Sequence, residues 1–220
     1  MKILITGAFG NLGLMCVEQA LAQGHKVRCF DIDNPATRKK AQEYGSRVEV
    51  VLGDIRDAAL LPKLVEGVEG IIHNASLLPP LTDNLPELAR AINVDACKKL
   101  LDAAEAQAVK PVFVFPSSVT VFGEQVQKDK IYSAEDPLKP SDNYTTHKAE
   151  IEQELRNRSL PWVIVRIGVS VDARTLKTDR ATFSKLLKVS ADNPMEYVHP
   201  KDVALAMCNA VAQPKAIGKV

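Results

Sequence analysis

The chain has 220 residues, 46% of them hydrophobic, and its 28 basic and 27 acidic side chains leave a formal net charge of +1. Such a length and apolar content suit one large domain, and near-neutrality removes the electrostatic case for nucleic acid or an anionic membrane as partner. No apolar run approaches the roughly 20 residues needed to span a bilayer, and the N-terminus, MKILITGAFG, begins a strand pattern in place of a secretory leader.

Along the chain, short apolar β-rich runs alternate with helical patterns. A strand at Lys2–Thr6 is followed by a helix at Asn11–Gln23, then a strand at Lys26–Asp31 and a helix at Pro35–Tyr44. Next come a strand at Arg47–Val51, a helix at Asp57–Val65, a strand at Gly70–Asn74 and one long helix near Asp83–Ala106. Strands at Pro111–Phe115 and Trp162–Ile167 flank a helix at Ser141–Arg158. Several strands are apolar almost throughout, as in parallel sheets covered on both faces. This alternation predicts an α/β fold, a doubly wound parallel (Rossmann) sheet with right-handed crossovers. After Ile167 a polar stretch, Val171–Asp179, precedes helical patterns near Ala181–Val189 and Lys201–Val211. The expected organisation is a dinucleotide-binding domain over residues 1–167 and a small cap or incomplete second lobe over 168–220, with a soft boundary.

The four cysteines, Cys16, Cys29, Cys97 and Cys208, lack CxxC or Cys/His spacing. Free buried thiols in a reducing cytoplasm are the expected reading, and no His/Asp/Glu grouping suggests a metal.

The first strand runs into TGAFGNLG, with Gly7, Gly10 and Gly13 spaced three apart. Gly7 would permit the tight turn, Gly10 close approach by a pyrophosphate, and Gly13 helix–strand packing. The helix that follows would offer its free N–H groups and dipole to the phosphates. This loop, with Phe9, Asn11 and Leu12 between the glycines, is the candidate cofactor cradle. A glycine-rich turn without a ligand is the alternative. Asp31 ends the second strand at about the expected 20 residues beyond the glycines. A carboxylate there can accept hydrogen bonds from the ribose hydroxyls of NAD and would repel the 2′-phosphate of NADP. Arg38, Lys39 and Lys40 are placed on a solvated helix face, so NAD is preferred. Asp54 and Ile55, in GDIRD, are expected where an adenine could rest.

In combination these residues resemble the extended short-chain dehydrogenases/reductases of the NAD-dependent epimerase/dehydratase type, over about residues 1–212. TGAFGNLG matches TGxxGxxG, GDIRD matches GDxxD, and IIHNAS lies where the family has HxAA. INVDACKKLLDAA is similar to NVxGTxNLLEAA, FVFPSSVTVFGE resembles SSxxVYG, and Tyr144-x-x-x-Lys148 matches YxxxK. VIVRIG and YVHPKDVALAM resemble two later landmarks. The chain departs from the pattern at Asn74 and Ser76, which replace Leu and Ala, at Phe122 in place of Tyr, and at Ala96 in place of Gly.

The resemblance implies that Asn74, Ala75, Ser76, Asn93, Tyr144 and Lys148 line the cofactor. It also implies that Ser118, Tyr144 and Lys148 are catalytic. Tyrosine, with a pKa of about 10, is a poor base at neutral pH. Lys148, one turn along the same helix face, and a positive nicotinamide ring would both favour its phenolate. The phenolate could then take a hydroxyl proton as hydride leaves for the nicotinamide. Ser118 is the better substrate hydrogen-bonder, and Ser117 reads as a neighbouring structural hydroxyl. For Asn93 a bracing role is weighed above a proton relay. Ser76, Leu77 and Arg166 are candidate substrate contacts, with a structural salt bridge as the competing reading of Arg166. His73 belongs to the cofactor-lining strand, His147 is placed facing solvent or beside the cofactor, His199 opens a helix, and His25 is a turn residue.

Dehydratases of the family carry an acidic pair after the catalytic Ser/Thr, whereas Val119 and Thr120 follow Ser118 here. An oxidoreductase or an epimerase remains, with a non-catalytic dinucleotide sensor as the alternative from another class. Retention of Ser118, Tyr144 and Lys148 favours catalysis. Only residues 169–196 separate VIVRIG from YVHPKDV, and the sequence ends at AIGKV where relatives continue into another strand. A short cap of this kind offers few contacts to a nucleotide sugar, so a small hydroxyl or carbonyl substrate is expected, with LLPPL (Leu77–Leu81) as a partly apolar rim. The resemblance also implies a homodimer through the long helix at Asp83–Ala106 and the Tyr144 helix.

Overall fold

The computed structural model describes residues 1–123, 130–172 and 197–220. The expected helix near Ala181–Val189 and all but the start of the polar stretch Val171–Asp179 lie outside them.

Six strands make one parallel sheet: β1 (Lys2–Thr6), β2 (Lys26–Asp31), β3 (Glu49–Leu52), β4 (Gly70–His73), β5 (Val112–Ser118) and β6 (Trp162–Ile167), in the order β3-β2-β1-β4-β5-β6. The order reverses between β1 and β4, which is where open α/β sheets bind ligands, beyond the carboxyl ends of their strands. Alternation along β1 builds the two cores. Ile3 and Ile5 point to one face, with Cys16 and Val17 of helix α1 (Asn11–Ala22) and Met207 and Cys208 of helix α8 (Pro200–Ala212). Leu4 points to the other, with Leu64, Leu100 and Ile151 of helices α3 (Leu61–Val65), α6 (Cys97–Glu105) and α7 (Asn143–Arg156). The four free cysteines are all buried.

Several elements differ from the sequence expectation, each for a local reason. The long helix is broken into α4 (Leu81–Asn84), α5 (Pro86–Arg90), a π-helical stretch at Ala91–Ala96, and α6. Leu85 leaves the helical region (φ −135°, ψ 61°) because a residue before proline is driven from it. Helix α3 starts only at Leu61, the preceding residues forming turns closed by Asp57 N–H to the Asp54 carbonyl and Leu60 N–H to the Asp57 carbonyl. The third strand begins at Glu49, behind a 3-10 turn at Gly45–Arg47. Strand β5 runs three residues past Phe115, carrying Ser117 and Ser118 at the sheet's carboxyl edge in register with Arg166 and Ile167. Beyond β6, Val169–Ser170 (β7) pairs in parallel with Tyr197–Val198 (β8). Backbone from Gly218 and Lys219 bonds the outer edge of β6 at Trp162 and Ile164.

Helix α2 (Pro35–Tyr44) starts at Asn34, whose side chain accepts from Thr37 N–H at 2.9 Å. Helix α7 starts at Asp142, a capping box in which its carboxylate accepts from Thr145 N–H at 2.7 Å while the Thr145 hydroxyl accepts from Asp142 N–H at 3.1 Å. That cap sets the phase of the helix, and with it the direction of Tyr144 and Lys148.

Candidate active site

The glycine loop joins β1 to α1 at the reversal point. Gly7 has φ +62°, and a Cβ there would lie 2.9 Å from Ala75 N, so the backbone of β1 meets the end of β4 with no room for a side chain. A Cβ on Gly13 would lie 2.0 Å from the Gly7 carbonyl oxygen, which explains the third glycine as helix–strand contact. Gly10 caps α1 without a side-chain hydrogen bond, and no acidic residue sits in the first turn. The amide donors there are therefore left for an external anion. The loop's other wall is Asp31, whose carboxylate accepts from Phe9 N–H and from Ile32 N–H, each at 2.8 Å.

Lys40 departs from expectation. It does not stand on a solvated face; its Nζ reaches back to the Phe9 carbonyl at 2.6 Å. Tyr44, one turn on, packs on the Phe9 ring with centroids 6.0 Å apart. A flexible four-carbon stem lets lysine reach a carbonyl that periodicity cannot anticipate. Arg38 remains at the surface, paired with Asp33. Asp54 pairs with Arg56 at 2.5 Å in a half-exposed contact, and Ile55 beside it is buried.

Past β4 the chain enters Asn74-Ala75-Ser76-Leu77. The Thr6 hydroxyl accepts from Ala75 N–H at 3.2 Å and lies 2.8 Å from His73 Nδ1, tying the ends of β1 and β4 together. Burial, with Lys148 nearby, pushes the His73 imidazole down to about 3, so it is neutral. Asn93, buried in the π-helical stretch, braces the next turn: its Oδ1 accepts from Leu77 N–H at 2.7 Å and its Nδ2 donates to the Leu77 carbonyl at 2.9 Å. The Ser76 hydroxyl also donates to Asn93 Oδ1, at 3.1 Å. A π-bulge rotates one residue out of helical phase, and here it aims an amide at backbone. His147, buried against Asn93 at 3.5 Å, does not face solvent.

Asn74 is the exception to this economy. Both ends of its amide are buried with no nitrogen or oxygen partner, and the Cys16 thiol beside it is only a weak one. An amide left so poorly satisfied beside the glycine loop suits a polar ligand that enters there. With the uncapped helix start and Asp31, it gives residues that fit a dinucleotide. When bound, such a cofactor supplies hydride exchange at its nicotinamide.

Helix α7 faces the end of β5. Lys148 is buried, and its Nζ donates to the Pro116 carbonyl at 2.7 Å, 5.5 Å from the centroid of the Tyr144 ring and 4.7 Å from that of Phe115. Burial lowers the Lys148 amine to about 8, while burial and the Asp142 charge raise the half-buried Tyr144 phenol to about 12. At neutral pH the phenol is therefore protonated and the amine mostly an ammonium. The Ser118 hydroxyl shares a 2.7 Å hydrogen bond with the Thr120 hydroxyl and accepts from Thr120 N–H at 3.2 Å. Ser117 is structural, donating to buried Glu152 at 2.5 Å. Arg166 lies with Glu152 too, at 3.0 and 2.7 Å, so in this arrangement it serves the salt-bridge role. Glu152 itself was not singled out by the sequence, although its spacing of four from Lys148 marks the same helix face.

A parallel sheet in this order, a glycine loop opposite an acidic strand end, and a Tyr/Lys pair at the carboxyl end of β5 define a nicotinamide dinucleotide-binding enzyme fold. The sequence pattern described as NAD(P)H-binding matches residues 7–214, and the chain belongs to that family, among the extended short-chain dehydrogenases/reductases of the epimerase/dehydratase type. A D-erythronate dehydrogenase from Cupriavidus necator is 25% identical over 96% of this chain and 72% of its own length. A UDP-glucose 4-epimerase from Klebsiella pneumoniae is 32% identical over 57% of this chain and 94% of its own. Among solved structures, an NAD-bound short-chain dehydrogenase/reductase superfamily protein from Agrobacterium tumefaciens superposes with a TM-score of 0.75 at 24% identity, covering 100% of this chain and 76% of that one. A dTDP-glucose 4,6-dehydratase from Streptomyces venezuelae does so with a TM-score of 0.83 at 24% identity, over 100% and 74%.

Proposed function

We propose that the protein is an NAD-dependent oxidoreductase that moves hydride between the nicotinamide and a small hydroxyl or carbonyl substrate, with Tyr144 as acid/base. The observation that carries this reading is the buried Lys148 beneath the Tyr144 ring, at the edge where Ser118 ends β5. Lys148 supplies positive charge next to the phenol, and a positive nicotinamide adds to it, so both lower a phenol that burial and the Asp142 charge hold up. Ser118 orients the reacting oxygen. The similarity to a D-erythronate dehydrogenase over nearly the whole chain supports a small polyhydroxylated acid as the substrate class. NAD is favoured over NADP by Asp31, which stands at the end of β2 with both carboxylate oxygens engaged by backbone N–H groups.

The test is Tyr144→Phe. Removing the proton-transfer group costs turnover by about 100-fold or more, while NADH binding, followed by its fluorescence, stays at the wild-type level. Assays use NAD⁺ with a panel of small alcohols and four-carbon sugar acids. Equal turnover by the variant overturns the assignment of Tyr144.

A second reading, an epimerase, is favoured by the match to a UDP-glucose 4-epimerase. Net NADH formation separates the two, because an epimerase returns its hydride to the substrate. A homodimer through the α6–α7 face belongs to the same proposal and is checked by sedimentation equilibrium.

A further inference from the structure

Two consecutive residues near the end of β5, Pro116 and Ser117, meet one face of α7. The Pro116 carbonyl accepts from Lys148, the Ser117 hydroxyl donates to Glu152, and Ser118 stands next in line at the catalytic edge. Tyr144, Lys148 and Glu152 are spaced four apart, so they share that face. Glu152 is fully buried. Arg166, in register with Ser117 on β6, covers both carboxylate oxygens of Glu152. The same guanidinium donates to the Ala134 carbonyl at 3.1 Å and stacks 4.8 Å from the Phe122 ring. One buried ion pair thus joins β5, β6, α7 and the segments on either side of residues 124–129.

A buried ion pair is a poor source of stability, since desolvating two charges offsets most of their attraction. An apolar pair of the same volume would hold these elements together as well. What an apolar pair could not supply is a fixed negative charge one turn below Lys148. The other groups near that ammonium are the Cys97 thiol from the helical layer, neutral His73 from β4, the Tyr144 phenol, and the ring of Phe115 and carbonyl of Pro116 from β5. Burial holds Cys97 up to about 12, so it is a neutral thiol at physiological pH. Glu152 is the one carboxylate of this set.

We propose that Glu152 is a positioning residue of the Tyr144–Lys148 couple, a buried counter-charge that Ser117 and Arg166 hold in place so that Lys148 stays an ammonium beneath the phenol. The proposal rests on the reading of Tyr144 and Lys148 given above. Its test needs neither cofactor nor turnover, so it returns a result even if Tyr144→Phe remains active.

The experiment follows the Lys148 amine by carbon NMR of ε-labelled lysine in the cofactor-free protein, the signal being assigned by its loss in Lys148→Met. In Glu152→Gln the carboxylate is gone and Arg166 is left without it, so the Lys148 midpoint falls below that of the wild type measured alongside. Should the single variant fail to fold, Glu152→Gln with Arg166→Met removes both buried charges together. The expected direction is the same, because the Glu152 carboxylate is the charge that raises the Lys148 amine. Glu152→Asp restores the midpoint at least in part. A folded single or double variant whose Lys148 titrates as in the wild type overturns the proposal and leaves Glu152 a structural residue.

Discussion

Asp31 and Lys40 put opposite charges on the two sides of one peptide loop: the carboxylate accepts a hydrogen bond from Phe9 N–H, and the ammonium donates one to the Phe9 carbonyl. A carboxylate there would favour ribose hydroxyls, and Lys40 is a cation beside the loop that a 2′-phosphate could recruit. Asp31→Asn therefore weakens NADH binding by about 10- to 100-fold, the worth of a hydrogen bond to a charged group, and improves NADPH binding relative to NADH. Adding Lys40→Ala removes the NADPH gain. Fluorescence titration of both nucleotides against the three proteins checks this, and unchanged selectivity in Asp31→Asn would exclude Asp31 from the ribose site. At this scale the sequence pointed to Asp31, Ser118, Tyr144 and Lys148 as candidates, because their types and spacings belong to short motifs. It could not carry Lys40, whose long stem chooses its partner only after α2 docks on the loop. Nor could it rank the roles of Arg166, which depend on Glu152 arriving from a helix 14 residues away.

Helix α1 depends on a contact that admits no side chain. Gly13→Ala would drive a Cβ to 2.0 Å from the Gly7 carbonyl, whereas at Gly10 the same change meets that oxygen at 3.3 Å. Overpacking of this kind costs about 1–3 kcal/mol, roughly 2–4 °C of Tm for each kcal/mol in a chain of this size. Gly13→Ala is thus expected to lower Tm and weaken NADH binding together, with Gly10→Ala milder in thermal unfolding. Helix α7 has a comparable fixture at its other end. Glu105 accepts from the Ser159 hydroxyl at 2.5 Å, from Ser159 N–H at 2.7 Å and from Arg158 at 3.0 Å, clamping the end of α7 to α6. Among the elements, those with a regular period and a clear cap were legible from sequence. The long helix was not, since Pro86 interrupts an otherwise helical pattern and the π-helical stretch has no periodic signature.

For the whole molecule, the Glu105 clamp contributes to stability in a way that acid removes. The Ser159 hydroxyl, followed by Arg158 and Ser159 N–H, holds its carboxyl down to about 2, against an ordinary 4.5. A carboxyl depressed in the folded state binds its proton more readily when unfolded, so its stabilisation is present above about 4.5 and is lost as pH falls towards 2. Glu105→Gln should melt below wild type at pH 7, and the gap should close over that acid range; a gap independent of pH would assign the effect to packing instead. The sequence alone determined the α/β alternation, the glycine loop with its acidic partner, and the Tyr144/Lys148 spacing, because each is encoded within a turn or two of chain. Only the tertiary structure decided which polar side chains hold the frame. Ser117, Asn93, Arg166 and Glu152 take partners from separate elements, and a buried polar group's role is set by whichever partner satisfies it once the sheet has closed around it.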